Sequence, residues 1–371
     1  MEVGAADGAA RVGAIETPRG RVRTPCFMPV GTRGAVRHLA ADDLEALGAE
    51  IVLANTYHLM LKPGVDVVAG LGGLHRFMDW SGHVLTDSGG YQVFSLGPDV
   101  DDDGVTFRST YDGSTHRLTP EEATARQARL GADIQMVLDV CPPWPCPTDQ
   151  VREAVERTAA WAVRARAAFD GDGQAQYGIV QGGVEPDLRA ESAQRTVAIG
   201  FEGYGIGGLS VGEPRDELLV ALEAAVAELP EDRPRYLMGV GDPVGIVEAV
   251  ARGVDQFDCV LPTRLARHGT VLTGAGRLNL RNARFAADPD PLDPTCGCAV
   301  CSRWSRAYLR HLLKTDEPTG PRLITLHNVA WTFALVDRIR RAITEGRLEA
   351  LRREIQATWG DDTRGQDLAA T

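Results

Sequence analysis

The chain has 371 residues, of which 44% are hydrophobic and 24% charged, a composition typical of a globular protein rather than a disordered or collagen-like chain. It carries 39 Lys and Arg against 51 Asp and Glu, and this net charge of −12, taken as one figure, argues against a polyanionic partner. The length favours two average domains, or one (β/α)8 barrel of roughly 250 residues with an addition.

No targeting or membrane segment is visible. Residues 1–13 lack the basic region and apolar run of a secretory signal, and no uncharged apolar stretch reaches the length of about 18 residues that a membrane span needs. Seven cysteines, an odd number, do not indicate a disulfide framework. We therefore expect a cytoplasmic protein with no membrane partner.

Short apolar runs recur along the chain, and each is followed by a turn and a segment with helical periodicity. Thr119-Pro120 should open one helix, and Thr148 and Asp149 offer N-cap side chains for another over residues 150–168. Eight such units favour a (β/α)8 barrel, an α/β fold, over an open doubly wound sheet. The predicted strands are Phe27–Val30, Ile51–Asn55, Val84–Asp87, Ile134–Asp139, Tyr177–Gln181, Tyr204–Gly207, Arg235–Gly239 and Gln256–Asp258.

Two segments interrupt this rhythm. Residues 104–118 contain two extended runs around Asp112-Gly113, a pair typical of β-hairpin turns. After the last predicted strand the chain becomes rich in Gly, Asn and Arg, and a Pro/Asp linker, a cysteine cluster and helices follow. We expect a catalytic barrel over 11–285, a metal-binding subdomain with closing helices over 286–345, and a helix end with a loose tail over 346–371.

Polar residues end the predicted strands. In a barrel these ends form the active site, and several carboxylates in one pocket suit acid–base and nucleophilic chemistry. Cys259 directly follows Asp258 and Cys141 comes two residues after Asp139, so we expect both cysteines beside the pocket. The strand-end residues are Asn55, Asp87, Asp139, Gln181, Gly207-Gly208, Gly239 and Asp258.

Some of these segments have plainer interpretations. Taken alone, the stretch 87–91 (DSGGY) is equally consistent with a capped turn, and 239–243 (GVGDP) with an ordinary turn between strand and helix. The stretch 204–210 (YGIGGLS) resembles a phosphate-binding loop but matches neither G-x-G-x-x-G nor a P-loop, and it is equally consistent with a bare backbone wall for a flat ligand. No nucleotide cofactor is therefore expected.

The cysteines of C-x-C-x₂-C, Cys296, Cys298 and Cys301, are the strongest single motif, because they supply three of the four ligands of tetrahedral zinc. His327, 26 residues after Cys301, is the favoured fourth ligand, and His311 is nearer but falls inside a predicted helix. A closed Cys₃His site would be structural. The alternative is a group of buried, unliganded cysteines.

Basic residues concentrate after the last predicted strand. Residues 259–322 hold ten Lys/Arg and five Asp/Glu, about +5, which leaves about −17 for the rest. Solvation of a helix face explains the arginines at 303–310 but not the Arg/Gly/Asn loop at 263–284. The pattern is typical of a polyanion bound at one place, with few phosphate contacts and a shallow salt dependence.

Together these motifs resemble one family, the bacterial-type tRNA-guanine transglycosylases, over residues 11–345. The resemblance implies a (β/α)8 barrel with a zinc subdomain that exchanges the wobble guanine of GUN-anticodon tRNAs for a 7-deazaguanine base in queuosine biosynthesis. The matching stretches are TPCFMPVGT (24–32), NTYHL (55–59), LTDSGGYQVFSL (85–96), YGIVQG (177–182), GGLSVGE (207–213), FDCVLPTR (257–264) and the C-x-C-x₂-C…H cluster.

The resemblance implies a role for each matching residue. Asp258 attacks the ribose C1′ and forms a covalent tRNA–enzyme intermediate that the incoming base displaces, while Asp87 is the general acid/base. The substrate-binding residues are Asp87, Ser88, Gly89, Gly90, Tyr91, Asp139, Gln181, Gly208, Leu209, Glu213 and Met238. The segments that hold the anticodon strand are Gly239, Val240, Gly241, Asp242, Pro243, Val244 and Gly245, and Thr263, Arg264, Leu265, Ala266 and Arg267. Cys296, Cys298, Cys301 and His327 bind one structural Zn²⁺.

The resemblance also implies a homodimer and, because Val211 stands where the eukaryotic catalytic subunit has Gly, the small base preQ1 as substrate. Two positions depart from the family pattern: Val140 replaces the usual Glu, and His268 the usual Asn. The first could alter how the site adapts to guanine and preQ1.

Three alternatives compete with this assignment. A non-catalytic partner subunit should lack the nucleophile or the base, whereas Asp258 and Asp87 are both present. An archaeal-type enzyme acting on the D-loop usually carries further RNA-binding domains. A barrel glycosidase would leave the arginine loop and the cysteine cluster unexplained.

Overall fold

The computed structural model describes residues 1–171 and 173–360, along which strands and helices alternate. The strands are β1 (Glu2–Asp7), β2 (Ala10–Thr17), β3 (Gly20–Thr24), β4 (Cys26–Pro29), β5 (Ile51–Asn55), β6 (His83–Asp87), β7 (Asp99–Val100), β8 (Val105–Arg108), β9 (Thr115–Leu118), β10 (Ile134–Met136), β11 (Ala175–Val180), β12 (Gly203–Ile206), β13 (Arg235–Leu237), β14 (Gln256–Cys259), β15 (Thr270–Thr273) and β16 (Gly276–Asn279). The helices are α1 (Ala41–Ala46), α2 (Thr56–Leu61), α3 (Val65–Gly70), α4 (Gly73–Met78), α5 (Gly90–Phe94), α6 (Pro120–Leu130), α7 (Thr148–Ala168), α8 (Pro186–Ile199), α9 (Arg215–Ala227), α10 (Pro243–Val250), α11 (Leu261–Arg267), α12 (Arg306–Lys314), α13 (Thr319–Thr344) and α14 (Leu348–Trp359). Within these two ranges, no helix combines the length and the apolar character needed to cross a bilayer.

Eight strands form a parallel barrel, which confirms the predicted fold class. Their order around the barrel is β4, β14, β13, β12, β11, β10, β6 and β5, and every neighbouring pair is parallel. Between β4 and β5 the ring is completed by a bridge from Val30 to Leu53 and by the Gly31 N–H, which donates to the Leu53 carbonyl at 2.6 Å. All eight predicted strands are present, although β10 ends at Met136 rather than Asp139.

The barrel strands are apolar on both faces, because their side chains alternate between the barrel interior and the surrounding helices. Leu85, Ile134, Ile179 and Ile206, from four successive barrel strands, are all fully buried. Since neither face meets water, the strands appear in the sequence as continuous apolar runs.

Three smaller sheets surround the barrel. The predicted hairpin at 104–118 is present as the antiparallel pair β8–β9, with β7 added at its edge. The antiparallel sheet β1–β2–β3 was not predicted, because its Gly- and Ala-containing sequence shows no clear alternation of apolar and polar residues. The pair β15–β16 lies inside the segment that was predicted as a loop.

Two predicted helix starts have different outcomes. Thr119 caps α6, its hydroxyl accepting from the Glu122 N–H, and Pro120 occupies the first turn as expected. The prediction that Thr148 and Asp149 precede their helix as caps is wrong, because α7 already begins at Thr148 with Pro147 at the N-cap. The Thr148 hydroxyl instead lies 3.2 Å from a Glu185 carboxylate oxygen.

The C-terminal helices cover one side of the molecule. Helix α12 begins at Arg306, because the Ser305 hydroxyl at its N-cap accepts from the Tyr308 N–H. Helix α14 was predicted only as a helix end, and it packs through Trp359 on Trp331 of α13, with ring centroids 5.2 Å apart. Most of the predicted tail, residues 361–371, lies outside the described residues, and the domain boundaries stay a prediction.

A buried ion pair joins the N-terminal sheet to the amino end of the barrel. Arg11 donates to both carboxylate oxygens of Asp255, at 2.8 and 2.6 Å, and the two side chains are 7% and 0% exposed. Arg11→Met should lower the free energy of unfolding by about 3–5 kcal/mol, because it leaves a buried carboxylate without its cation. Urea unfolding measures this, and Arg129→Met, which removes the exposed pair with Asp66, should cost less than about 1 kcal/mol. Equal losses in the two variants would contradict the prediction.

Candidate active site

A cavity of about 210 Å³ opens at the carboxyl ends of the barrel strands. The strand ends therefore converge as the sequence predicted, and Cys141 and Cys259 also line the cavity. The lining includes every predicted strand-end residue, namely Asn55, Asp87, Asp139, Gln181, Gly207, Gly208, Gly239 and Asp258, and also Tyr91, Leu209 and Met238.

The pKa values of the three strand-end aspartates are all raised. Burial raises the pKa of Asp87 to about 7, and the charges of Asp139 and Asp258 add to this. Burial also raises the pKa of Asp139 to about 6, against a hydrogen bond from Gln181. The pKa of Asp258 is raised by burial too, against hydrogen bonds from Tyr236 and Gly239. A pocket in which one carboxyl titrates near neutrality can supply both an acid and a nucleophile.

Asp258, in β14, is held by two donors. The Tyr236 hydroxyl donates to its Oδ1 at 2.6 Å, and the Gly239 N–H donates to the same atom at 2.8 Å. Because both bonds reach one oxygen, they fix the orientation of the carboxylate. They also favour its charged form, which is the form that can attack an electrophilic carbon.

Asp87, at the end of β6, is held by Asn55 at the end of β5. The Asn55 Nδ2 donates to Asp87 Oδ2 at 2.9 Å and to Gln92 Oε1 at 2.8 Å, while its Oδ1 accepts from the His58 N–H. The register pairs Asn55 with Asp87 directly across the two strands. The carboxyl is therefore positioned by an amide whose own oxygen and nitrogen are both engaged.

Asp139 and Gln181 form a polar rim on the opposite side. The Gln181 Nε2 donates to Asp139 Oδ2 at 2.6 Å, and the buried Gln181 Oε1 has no hydrogen-bond partner among the described residues. A Cβ added at Gly208, which has φ +65°, would lie 2.2 Å from that oxygen. Glycine is thus required here by both space and backbone conformation.

The remaining predicted substrate-binding residues stand behind the lining. In the described chain, Ser88, Gly89, Gly90 and Glu213 do not line the cavity. The Glu213 carboxylate accepts the N–H groups of Ser210 and Val211, so it fixes the loop after Leu209.

Val140 points away from the cavity. Its side chain is buried in an apolar cluster with Trp161 and Leu138, and its N–H donates to the Thr158 hydroxyl at 2.9 Å. The neighbouring Asp139 does line the cavity. Val140, the position that departs from the family pattern, therefore packs beside the cavity and does not line it.

The two predicted RNA-holding segments expose few side chains. Burial and the charges of Arg37 and Arg264 lower the pKa of Arg267, which places three guanidinium groups near one another. Asp242 caps α10 and pairs with Arg215 at 2.9 Å. Most other members of the two segments are buried, namely Val240, Gly241, Pro243, Val244, Gly245, Thr263, Leu265 and Ala266.

The cysteine cluster and His327 meet as predicted. The three cysteine sulfurs and one nitrogen of His327 lie within 4.8 Å of one another, a set that could hold a metal ion, and His311 is not part of it. His327 Nε2–H donates to the Leu272 carbonyl at 2.8 Å, which leaves Nδ1 as the ligand atom, 3.5 Å from the Cys298 sulfur and 3.3 Å from that of Cys301. The donor set and the oriented imidazole fit a closed tetrahedral zinc site.

Comparison with known proteins agrees with this geometry. The model of the family described as queuine tRNA-ribosyltransferase matches residues 7–361. The chain belongs to this family. The queuine tRNA-ribosyltransferase of Desulforudis audaxviator is 55% identical over 351 residues, 94% of both chains. That of Symbiobacterium thermophilum is 54% identical over 354 residues, 95% of this chain and 88% of the relative. The resemblance inferred from the sequence is confirmed, and the alternative of a barrel glycosidase is thereby excluded.

The sequence analysis missed Tyr236, which lines the cavity of this transglycosylase-family site, and Arg189, which donates to the Gly207 and Gly208 carbonyls behind its wall. Tyr236 was placed in a strand, yet it lies two residues before Met238, and the period of two along a strand puts both on the same face. That alternation could have revealed it. Arg189 carried no signal at all, because one arginine near the start of a helix resembles any solvated residue.

Proposed function

We propose that this chain replaces the wobble guanine of tRNAs with GUN anticodons, those for aspartate, asparagine, histidine and tyrosine, by preQ1 (7-aminomethyl-7-deazaguanine). The family, and relatives named queuine tRNA-ribosyltransferase over most of their length, support the coarser activity of tRNA-guanine transglycosylation in queuosine synthesis. The observation that carries the finer proposal is one cavity holding an oriented carboxylate, Asp258, and a carboxyl titrating near neutrality, Asp87.

The proposed reaction proceeds in two displacements. A carboxylate oxygen of Asp258 forms a bond to the ribose C1′ while the C1′–N9 bond breaks, and Asp87, as the neutral acid, gives the departing guanine its proton. Asp87 then takes the N9 proton of the incoming base, whose N9 bonds to C1′ as the ester to Asp258 breaks. Two inversions give net retention, as in other double displacements through an aspartyl ester.

The cavity suits a flat base with polar edges. Asp139, Gln181 and the backbone of Gly208 and Leu209 offer hydrogen-bonding groups, and Tyr91 and Met238 offer the faces between which a purine would stack. Tyr91 is 44% exposed, so the space above it is open to a nucleotide entering from solution. In this proposal Ser88, Gly89 and Gly90 shape the turn after Asp87, and Glu213 fixes the loop after Leu209.

The size of the base is set at Val211, which lines the cavity. Its side chain occupies space that a cyclopentenediol-bearing base such as queuine would need, whereas the aminomethyl group of preQ1 is small. This supports preQ1 as the substrate.

The tRNA is proposed to lie over the cavity, with its anticodon strand held by residues 239–245 and 263–267. Arg264 and Arg267 supply the charge, and the buried members of these segments supply the rigid backbone. The partners are then tRNA and the free base, and the resemblance adds a homodimer. The cytoplasmic location expected from the sequence stays a prediction.

One structural Zn²⁺ is proposed at Cys296, Cys298, Cys301 and His327. Cys298→Ser should lose stoichiometric zinc and lower the midpoint of thermal unfolding by several degrees, because the metal holds the cysteine loop to α13. Metal analysis and calorimetry measure this, with Cys146→Ser, a cysteine outside the cluster, as the matched control. Full zinc retention in the Cys298 variant would rule out the four-ligand site.

The function is tested with a GUN-anticodon tRNA that carries labelled guanine at the wobble position. Adding the protein together with preQ1 should release the label. When preQ1 is withheld, an RNA adduct that survives SDS should remain. A tRNA with adenine at that position is the control and should give no adduct. Release without preQ1 specificity, with queuine accepted equally, would refute the finer proposal only, and no release would refute the activity.

A further inference from the structure

Arg189 is a fully buried arginine on α8 that makes no contact with the cavity itself. Its guanidinium donates only to backbone carbonyl oxygens. These bonds are Nε to Gly183 at 2.7 Å, Nη1 to Val180 at 3.0 Å and to Gly207 at 2.7 Å, and Nη2 to Gly208 at 3.1 Å. One side chain therefore ties the loop after β11 to the loop after β12.

Placing a cation here is costly. Burial lowers the pKa of Arg189 to about 10, and among the described residues no hydrogen bond joins it to a carboxylate. An apolar side chain of similar size would avoid the desolvation cost of a buried charge. The nearby charge of Glu213 and the four carbonyl partners offset that cost, and the carbonyl bonds give those peptides a fixed orientation.

That orientation determines where two N–H groups point. In a trans peptide the carbonyl of one residue and the N–H of the next point in opposite directions. Because the carbonyls of Gly207 and Gly208 are turned to Arg189, the N–H groups of Gly208 and Leu209 point away from it. Gly208 and Leu209 both line the cavity, and neither N–H donates to another backbone group of the described chain.

The next two peptides of the loop are fixed from the other end. The N–H groups of Ser210 and Val211 go to Glu213. Arg189 and Glu213 thus divide the loop between them, the cation holding carbonyls and the anion holding N–H groups. What remains free for a ligand is the pair of donors at Gly208 and Leu209.

We propose that Arg189 is a positioning residue that presents the N–H groups of Gly208 and Leu209 to the exocyclic oxygen on C6 of the bound base. This inference rests on the proposed base exchange and specifies how the base is selected. The cation also polarises both peptides, which makes their N–H groups stronger donors. A base with oxygen at C6 should therefore gain from Arg189, and a base with hydrogen there should not.

The test compares 7-deazaguanine with 2-amino-7-deazapurine, which lacks the C6 oxygen and with it the N1 proton, by calorimetric titration of the intact protein. Each variant meets the same two bases, so a change in the ratio of their dissociation constants reports the effect of Arg189. In Arg189→Met the dissociation constant for 7-deazaguanine should rise about tenfold, while that for the 6-H base changes less than about twofold. Arg189→Lys, which keeps the charge and can reach some of the carbonyls, should recover part of the difference. If the methionine variant does not fold, the lysine variant tests the inference through the same ratio of the two dissociation constants.

The matched control is Arg235→Met. Arg235 is also buried and donates to the backbone carbonyls of Leu229 and Gly253, but it lies at the amino end of the barrel. The Arg235→Met substitution should lower thermal stability as Arg189→Met does and leave the ratio of the two dissociation constants unchanged. An unchanged ratio in the Arg189 variants would overturn the inference. A wild-type protein that binds neither base would instead overturn the proposed function.

Discussion

Replacing Asp258 by asparagine is expected to abolish base exchange, with turnover lower by roughly 10⁴-fold or more. Asparagine keeps the shape of the side chain and can still accept the hydrogen bonds from Tyr236 and Gly239. It cannot form an ester with C1′, because an amide oxygen is a poor nucleophile at neutral pH. Label release from tRNA and denaturing gels should therefore show neither free guanine nor the RNA adduct, while tRNA binding changes little.

Tyr236→Phe provides the graded control for the same atom. It removes one donor to Asp258 Oδ1, so the pKa of Asp258 should rise and the acid limb of the pH–rate profile should move to higher pH. Turnover near neutral pH should fall by about tenfold, with the adduct still formed. An adduct of normal yield in Asp258→Asn would contradict the nucleophile assignment, whatever Tyr236→Phe does.

The barrel could be predicted because its strands are buried on both faces. Ile51–Asn55, for example, is apolar throughout except for the polar residue at its end. In a parallel barrel all such ends lie at one face, so topology alone brought Asp87, Asp139 and Asp258 together. The cysteine cluster could be predicted because metal ligands close in sequence need little tertiary information.

What the sequence could not indicate depends on contacts between distant segments. Arg11 and Asp255 are 244 positions apart, and neither carries a local sign of its partner. Arg189 is interpretable only once the loops after β11 and β12 are seen to meet over it. The prediction of the α7 N-cap failed for a local reason. Pro147, one residue before the predicted cap Thr148, has the extended backbone of the N-cap.

The net charge of the whole chain and the charge near the site point to different partners. A net charge of −12 argues against RNA, yet the family is named for a tRNA reaction. The acidic residues are spread widely, and many form surface pairs, such as Glu202 with Arg166 and Glu121 with Arg164. Three arginines gather near the site, at 37, 264 and 267. Local potential at the docking place, not the total charge, then decides the partner.

Asp87→Asn should both remove catalysis and stabilise the fold. Loss of the general acid/base should lower turnover by about 10²–10⁴-fold, because the departing guanine is no longer protonated. The pKa of Asp87 in the folded protein is about 7, above its ordinary value of 3.8. Because the unfolded chain loses this proton near pH 4 and the folded protein only near pH 7, the carboxyl costs the fold stability, and this cost grows as the pH rises from about 4 to about 7.

Asparagine never ionises, so the variant escapes that cost. Its gain in free energy of unfolding over wild type should increase between pH 5 and pH 8, with an upper limit of about 4 kcal/mol from the size of the pKa shift. Urea unfolding at both pH values measures the gain, and Asp216→Asn, an exposed change on α9, should show no such increase. A gain independent of pH would mean that Asp87 is ionised in the fold at pH 5 already. It could then not serve as the acid for the departing base, because its proton would be gone before the reaction begins.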